Sequence, residues 1–194
     1  MAAFQYWSDL VHKDKIMPPL IHSQANKLFI AGTAAMMYQS SIMIKTLDRS
    51  IGKRFQYKIA FMPKKKRFGM EVGGTAIGIF KSNPKREAMA REFLKWMTDA
   101  ERAAIWAENT GYIATRKSCA KLPGHMKFLK ENPNDRVAAE QMPYTAVSYA
   151  SKGDGLTYLP IKKVIQKIEA TSNLDIKKEL DDLVNVTKVK LKEQ

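Results

Sequence analysis

The side chains able to do chemistry are few and widely spaced. His12, His22 and His125 are scattered, with no His-Glu-x-x-His sequence and no acidic partner at metal-ligand spacing. The serines lack a Gly-x-Ser-x-Gly elbow. Cys119 is the only cysteine and sits between Ser118 and Ala120 with no activating base in view, so it reads as an inert thiol. A single cysteine also excludes a disulfide within the chain and a cysteine-based metal site. The acidic residues mostly occupy helix starts and exposed faces, where capping and solubility account for them. The sequence predicts no enzyme, no metal centre and no cofactor.

One stretch, "GGTAIGIFKSNPKREA" from Gly73 to Ala88, has the look of a phosphate cradle. A dinucleotide fingerprint needs its glycines between a strand and the helix that follows, so that backbone N–H groups and the helix N-terminus meet the phosphate. Here Gly73 and Gly74 precede the expected strand, and the helix starts only after Phe80-Lys81-Ser82. The spacing is neither Gly-x-Gly-x-x-Gly nor a Walker sequence. Gly73-Gly74 instead marks a sharp strand entry, or a place where a ligand approaches bare backbone.

The 194 residues carry 33 Lys and Arg against 19 Asp and Glu, a formal charge of +14 with pI near 9.8. Such a balance fits an anionic partner, nucleic acid or a membrane surface among them. The densest run is "KKKR", Lys64 to Arg67. In "PIKKVIQK", "DIKKEL" and "TKVKLKEQ" the lysines alternate with Ile, Val and Leu at helical spacing, the pattern of a solvated face. No aromatic-interleaved basic signature accompanies the charge, and no nucleic-acid partner is expected. Neither a signal peptide nor an apolar run long enough to cross a bilayer is present. The chain opens directly in an amphipathic pattern, Phe4, Trp7, Leu10 and Val11, so it is expected to start partway through a larger protein.

The elements that must position these residues follow from periodicity. Helices are expected at about 3–13, from a Ser23 cap to Gly32, and over Met43 to Ser50. "TAAMMYQSS" reads as a short buried strand. "RFQYKIAFMP" reads as a half-buried one, with Phe55, Tyr57, Ile59 and Phe61 on one face. After the strand "TAIGIF", Ser82, Asn83 and Pro84 open a helix with a stripe of Met89, Ala90, Phe93, Leu94 and Met97. Thr98 and Glu101 have capping-box spacing for another that closes at Gly111. "YIATRKS" is extended, and short helices are expected around 124–131 and 135–142. Pro160 fits the first turn of a helix burying Ile161, Val164, Ile165 and Ile168. A last helix from about Asp175 turns Ile176, Leu180, Leu183 and Val184 inward. The expected class is α/β, with helices outnumbering strands.

The run "GGTAIGIFKSNPKREAMAREFLKWMTDAERAAIWAENTGYIATRKS" resembles the C-terminal half of extracellular solute-binding proteins of ABC importers, specifically the sugar and glycerol-phosphate binding group, solute-binding family 1. Trp106, Thr110-Gly111-Tyr112 and Arg116-Lys117-Ser118 match its pattern. "KLFIAGTAAMMYQSS", "FMPKKK" and "FQYWSDLVHKDKIMPP" resemble upstream pieces of the same family, and the segment from Tyr158 to Leu191 resembles its closing helices.

The resemblance implies a periplasmic-binding-protein-like (type II) fold with one lobe largely present and part of the second. By analogy, 1–72 and 116–194 form the C-terminal lobe, while 73–115 is contributed to the N-terminal lobe. The implied function is capture of a small polar solute (sugar, oligosaccharide or glycerol phosphoester) between two lobes and delivery to a permease. The implied partners are that solute, the ABC permease subunits and the remaining N-terminal half. The implied location of the full-length protein is periplasmic, or extracellular and membrane-anchored. Expected ligand contacts are Ser40, Ser41, Gly73, Gly74, Thr75, Tyr112 and Tyr158, whereas Trp96 and Trp106 read as packing residues. Two departures stand out. Ile42 follows Ser41 where the family often carries a stacking Trp, and Gly155 stands where the glycerol-phosphate binders place an Arg, with Lys152 nearby. The alternative is a basic, non-enzymatic domain that binds nucleic acid or an anionic surface.

Overall fold

A computed structural model describes residues 1–19, 22–64, 66–146 and 158–192. In chain order the helices are α1 (Ala2–Ser8, continued by a π-helical turn Asp9–Lys13), α2 (His22–Ala31), α3 (Ile44–Ile51, entered through a 3-10 turn Ser41–Met43), α4 (Pro84–Met97), α5 (Ala100–Thr110), α6 (Pro123–Glu131), α7 (Pro133–Glu140), α8 (Tyr158–Ala170) and α9 (Ile176–Lys192). Two two-residue strands, β1 (Met70–Glu71) and β2 (Thr145–Ala146), pair in parallel, Met70 opposite Thr145. The expected α/β class is met only in part: among the described residues the chain is mostly helical with very little sheet. The chain divides into two compact units, Met1–Lys27 with Tyr149–Gln194, and Leu28–Ser148.

In the first unit the apolar stripes of α8 and α9 meet each other and α1. Val164, Ile168 and Ile176 are buried, with Phe4, Trp7, Leu174, Leu180 and Leu183 packed around them. Polar groups lock the same contact. Trp7 Nε1 donates to Glu169 Oε1 at 3.0 Å, and His12 Nε2 lies 2.7 Å from the Ile168 carbonyl. Asp175 Oδ1 accepts from the Lys178 N–H and starts α9. Ile161 and Val184, expected inside, are exposed, because each lies at the edge of its stripe.

In the second unit α5 packs against α3, α6 and the 3-10 turn Lys117–Lys121. Its small residues Ala103 and Ala104 bury against Cys119, with Ala100, Ala114 and Leu122 beside them. The start of α4 is as expected: Asn83 Oδ1 accepts from the Arg86 N–H at 2.9 Å, with Pro84 in the first turn. The start of α5 is not. Asp99, one residue after Thr98, accepts from the Arg102 N–H at 2.9 Å. That bond, with the Arg102 guanidinium beside it, holds the Asp99 carboxyl below the usual range. Thr98 turns back instead, its hydroxyl donating to the Leu94 carbonyl. Likewise α2 begins at His22, so Ser23 lies inside the helix and is not its cap.

The three expected strands are the clearest corrections. Residues 54–61 alternate exposed and half-buried as the pattern requires, yet among the described residues no strand pairs with them. Side chains of α7 and the residue just after it take over instead: the Ile59 N–H donates to Asn134 Oδ1 at 3.0 Å and the Met62 N–H to Gln141 Oε1 at 3.2 Å. In "TAAMMYQSS" Met36 is 88% exposed, and no ladder forms there. "TAIGIF" has no ladder among the described residues and is exposed along its length, with Phe80 at 93%. Alternation selects the face a strand would bury, but a ladder needs a neighbour.

Candidate ligand-binding site

The 3-10 turn Ser41–Met43 begins at Ser40, whose backbone is extended and whose carbonyl accepts from the Met43 N–H at 3.0 Å. The Ser40 N–H donates to Gln39 Oε1 at 2.8 Å. Ser40 is exposed and Ser41 half-buried. Against this turn sits the end of α5. Gly111 closes the helix in the left-handed conformation (φ 78°), its N–H donating to the Ala107 carbonyl at 3.0 Å. A Cβ on Gly111 would stand 2.6 Å from the Ser41 carbonyl oxygen and 3.4 Å from the Ile42 Cα. Only glycine lets the two backbones approach so closely. Two separate pieces of sequence, "QSSIM" and "NTGYI", are thereby brought together.

Tyr112 follows at once and is half-buried, its N–H 3.4 Å from Thr110 Oγ1. Beyond it opens a cavity of about 700 Å³ among the 111–120 segment, α6 and α7, with Tyr112, Ile113, Arg116, His125, Phe128 and Met142 among its walls. A space of that size holds a small molecule, and mostly apolar walls with a few polar groups are the usual composition of a binding pocket. Two of the polar groups are already engaged. His125 is buried, with Nδ1 2.8 Å from Glu108 Oε1, and Asp135 pairs with Lys45 at 3.0 Å. Arg116 is anchored on the Thr98 carbonyl and hydroxyl.

Gly73, Gly74 and Thr75 are exposed, and a Cβ on either glycine would meet nothing within 4 Å. Tyr158 opens α8 in the first unit and is 68% exposed. Lys152 and Gly155 lie outside the described residues. Cys119 is buried with Sγ 3.2 Å from the Ala100 carbonyl, a packing position. Among the described residues no three His, Cys, Asp or Glu groups converge as metal ligands. Sequence reasoning missed the His125–Glu108 pair, whose members stand 17 residues apart on different helices. It also missed Asn134 and Gln141, since no local pattern says which amide will serve a distant backbone.

The model of the bacterial extracellular solute-binding proteins matches residues 1–139. The chain belongs to that family. It is a family of binding proteins, so the chain is not an enzyme. Among curated relatives, the sn-glycerol-3-phosphate-binding periplasmic protein UgpB of Escherichia coli (strain K12) is 26% identical over 155 residues, covering 77% of this chain and 35% of the relative. The same protein from E. coli O6:H1 (strain CFT073 / ATCC 700928 / UPEC) gives the same figures. Among solved structures, UgpB from Mycobacterium tuberculosis in complex with glycerophosphocholine superposes with a TM-score of 0.82 at 21% identity, covering 100% of this chain and 49% of that one. The cyclic alpha-maltosyl-1,6-maltose binding protein from Arthrobacter globiformis superposes at 0.71 and 18% identity, over 100% and 48%. At those identities the superpositions show the fold, that of periplasmic binding proteins. The chain spans about a third of the length of the curated relatives and about half of the solved chains.

Proposed function

We propose that this chain is part of the solute-binding component of an ABC import system, which captures a small polar ligand between two lobes and hands it to a permease outside the cytoplasm. The carrying observation is that the family match, residues 1–139, includes the junction where Gly111, followed in sequence by Tyr112, lies against the Ser41 backbone. A hydroxyl and a phenol at one helix-end junction suit a polyhydroxylated or phosphoester ligand. Ser40, Ser41 and Tyr112 are the proposed contacts there. Gly73, Gly74 and Thr75 are proposed to offer bare backbone, and Tyr158 an aromatic wall.

In this reading 1–72 and 116–194 belong to one lobe and 73–115 is contributed to the other. Within 73–115, the extended run and α4 are the parts the remaining half would cover. The helix α5, which packs on α3 and α6, is the junction. Ile42 in place of a stacking Trp and Gly155 in place of a cation argue against copying either relative's ligand directly. The test therefore spans both classes.

The experiment is calorimetric titration of glycerol 3-phosphate, glycerophosphocholine and maltose-type oligosaccharides. It is run on this chain joined to a complementary half, and on this chain alone. The joined protein is expected to bind one class, with Ser41→Ala and Tyr112→Ala each weakening it about five- to tenfold, the scale of one lost hydrogen bond. The chain alone is expected to bind none tightly, because a cleft encloses its ligand only when both walls are present. Sub-micromolar affinity in the chain alone would overturn the two-lobe reading. Joined protein that ignores every ligand would overturn the solute assignment.

A further inference from the structure

The positive charge of this protein is not spread evenly. The second unit, 28–148, holds 21 Lys and Arg against 10 Asp and Glu, while the remaining residues hold 12 against 9. Within the second unit the excess concentrates further. Between Asp48 and Glu87 the sequence has 11 basic residues and a single acidic one, Glu71.

The fold displays this run rather than neutralising it. Along the extended 54–62 segment the apolar residues Phe55, Tyr57, Ile59 and Phe61 turn inward, so Arg54 and Lys58 share the exposed side. Lys53, Lys64, Lys66 and Arg67 are exposed as well. The ion pairs formed among the described residues involve none of these six. Arg54 bends onto the Ser50 and Ile51 carbonyls at the end of α3, which orients it and leaves its charge in place. At the far end of the ridge the basic loop is anchored on aromatic rings. Phe61, Phe68 and Tyr144 cluster with centroids 4.9 to 5.8 Å apart, and Lys64 Nζ lies 4.7 Å above the Phe68 ring. Tyr144 is only half covered.

We propose that this ridge docks the protein on a bilayer rich in acidic phospholipid. The geometry favours an extended anionic plane over a small anion. An extended chain rises about 3.3 Å per residue, so Arg54 and Lys64 can stand up to roughly 33 Å apart. Cations spread along a segment with that reach, up to several Debye lengths of about 8 Å, suit several phosphates better than one. A plane of headgroups meets them all. The aromatic cluster decides between a bilayer and nucleic acid: half-exposed tyrosine beside lysines is the composition of a membrane–water interface. The family's extracellular setting also argues against nucleic acid as the partner. The inference stands independently of the solute reading, since none of these residues is a proposed ligand contact.

The test is co-sedimentation of the full chain with phosphatidylcholine vesicles, with and without about one-third phosphatidylglycerol. Binding is expected only to the acidic vesicles and is expected to fade as salt rises. The variant K58Q/K64Q/K66Q/R67Q should lose about fivefold in partitioning per charge removed. A matched variant of the first unit, K162Q/K163Q/K178Q/K188Q, removes the same charge from exposed positions and should stay within about twofold of wild type. Melting curves confirm that both are folded. Equal loss in the two variants would mean that net charge alone acts, and would overturn the ridge. Binding to neutral vesicles, no binding at all, or preference for duplex DNA over acidic vesicles at physiological salt would each overturn it too.

Discussion

Gly111 and Ser41, 70 positions apart, are in backbone contact: a β-carbon on the glycine would lie 2.6 Å from the serine's carbonyl oxygen. The left-handed turn that ends α5 is also the surface on which the turn into α3 rests. The Thr-Gly-Tyr signature therefore has a physical reason that holds whatever ligand the protein takes. Glycine is required both by its φ and by its neighbour.

Gly111→Ala should consequently be among the costlier single changes. The left-handed conformation alone costs a β-carbon-bearing residue about 1–2 kcal/mol. Pressing a methyl into the Ser41 carbonyl adds overpacking of about 1–3 kcal/mol, because backbone, not a mobile side chain, is in the way. Urea denaturation should show a loss of about 2–5 kcal/mol. Gly124→Ala, where a β-carbon meets nothing within 4 Å, should change little. A near-neutral Gly111→Ala would mean that the two turns are not in contact.

Tyr57 supplies a pH prediction with a definite sign. Its hydroxyl donates to Asp48 Oδ1 at 2.6 Å, with the Ile44 carbonyl at 3.3 Å. Burial, then the Asp48 carboxylate, push the phenol well above its ordinary range. A folded-state value raised above the unfolded one means that the contribution is complete below about pH 10. Above it, the unfolded chain releases a proton that the folded chain retains, and stability falls. Thermal melts from pH 7 to 11 should show wild type losing more than Tyr57→Phe above pH 10, although the variant starts about 1 kcal/mol lower for want of the hydrogen bond. Parallel curves would show that the phenol ionises as freely folded as unfolded.

In the first unit the decisive residue is Ile168. It is completely buried, and its carbonyl meets His12 Nε2 at 2.7 Å. Ile168→Ala should cost about 2–5 kcal/mol, the range for emptying a core isoleucine site. Val184→Ala, at an exposed position of α9, should stay within about 0.5 kcal/mol. The comparison is most informative in a denaturant titration followed at Trp7, whose indole is bonded to Glu169 in the same unit. Equal costs at the two positions would contradict the packing described.

Much of the helical scaffold was legible because its signals are local. Asn83 ahead of Pro84, Gly111 after Thr110 and Asp175 ahead of Ile176 are each decided within a turn of chain. The strands were not, because a strand is a relationship between segments. "RFQYKIAFMP" presents the correct inward face, yet its backbone is served by Asn134 and Gln141, which no periodicity could name. Of the candidate site, what the structure shows is a backbone relationship: Gly111 lies against Ser41 and Ile42, whereas a Cβ on Gly73 or Gly74 would meet nothing within 4 Å. The Asp99 cap was missed because Thr98-x-x-Glu101 offered a competing pattern one residue earlier, but the Thr98 hydroxyl is spent on the Leu94 carbonyl and the Asp99 carboxylate takes the Arg102 N–H.

The last prediction concerns the extended run before α4 and α4 itself. Ile77, Phe80, Met89, Phe93 and Trp96 are all more than half exposed, and Phe93 stacks on Trp96 with centroids 5.9 Å apart. The Ile77–Phe80 run and the Ala90, Phe93 and Leu94 side of α4 line one shallow hollow of about 340 Å³. An apolar surface of that kind marks an interface or an aggregation liability. Since the solved relatives carry about as much chain again beyond what this one spans, the complementary half is the expected occupant. Charge repulsion opposes self-association at low salt, but screening shortens its reach to about 8 Å at physiological strength while apolar attraction persists. Light scattering of the chain alone should therefore show mass rising with salt, and adding the complementary half should restore a single species. Phe80→Ser with Phe93→Ser should abolish the rise without lowering the melting temperature, because neither ring is in a core. A monodisperse monomer at every ionic strength, indifferent to the complementary half, would show that this face needs no cover and that 73–97 does not belong to a second lobe.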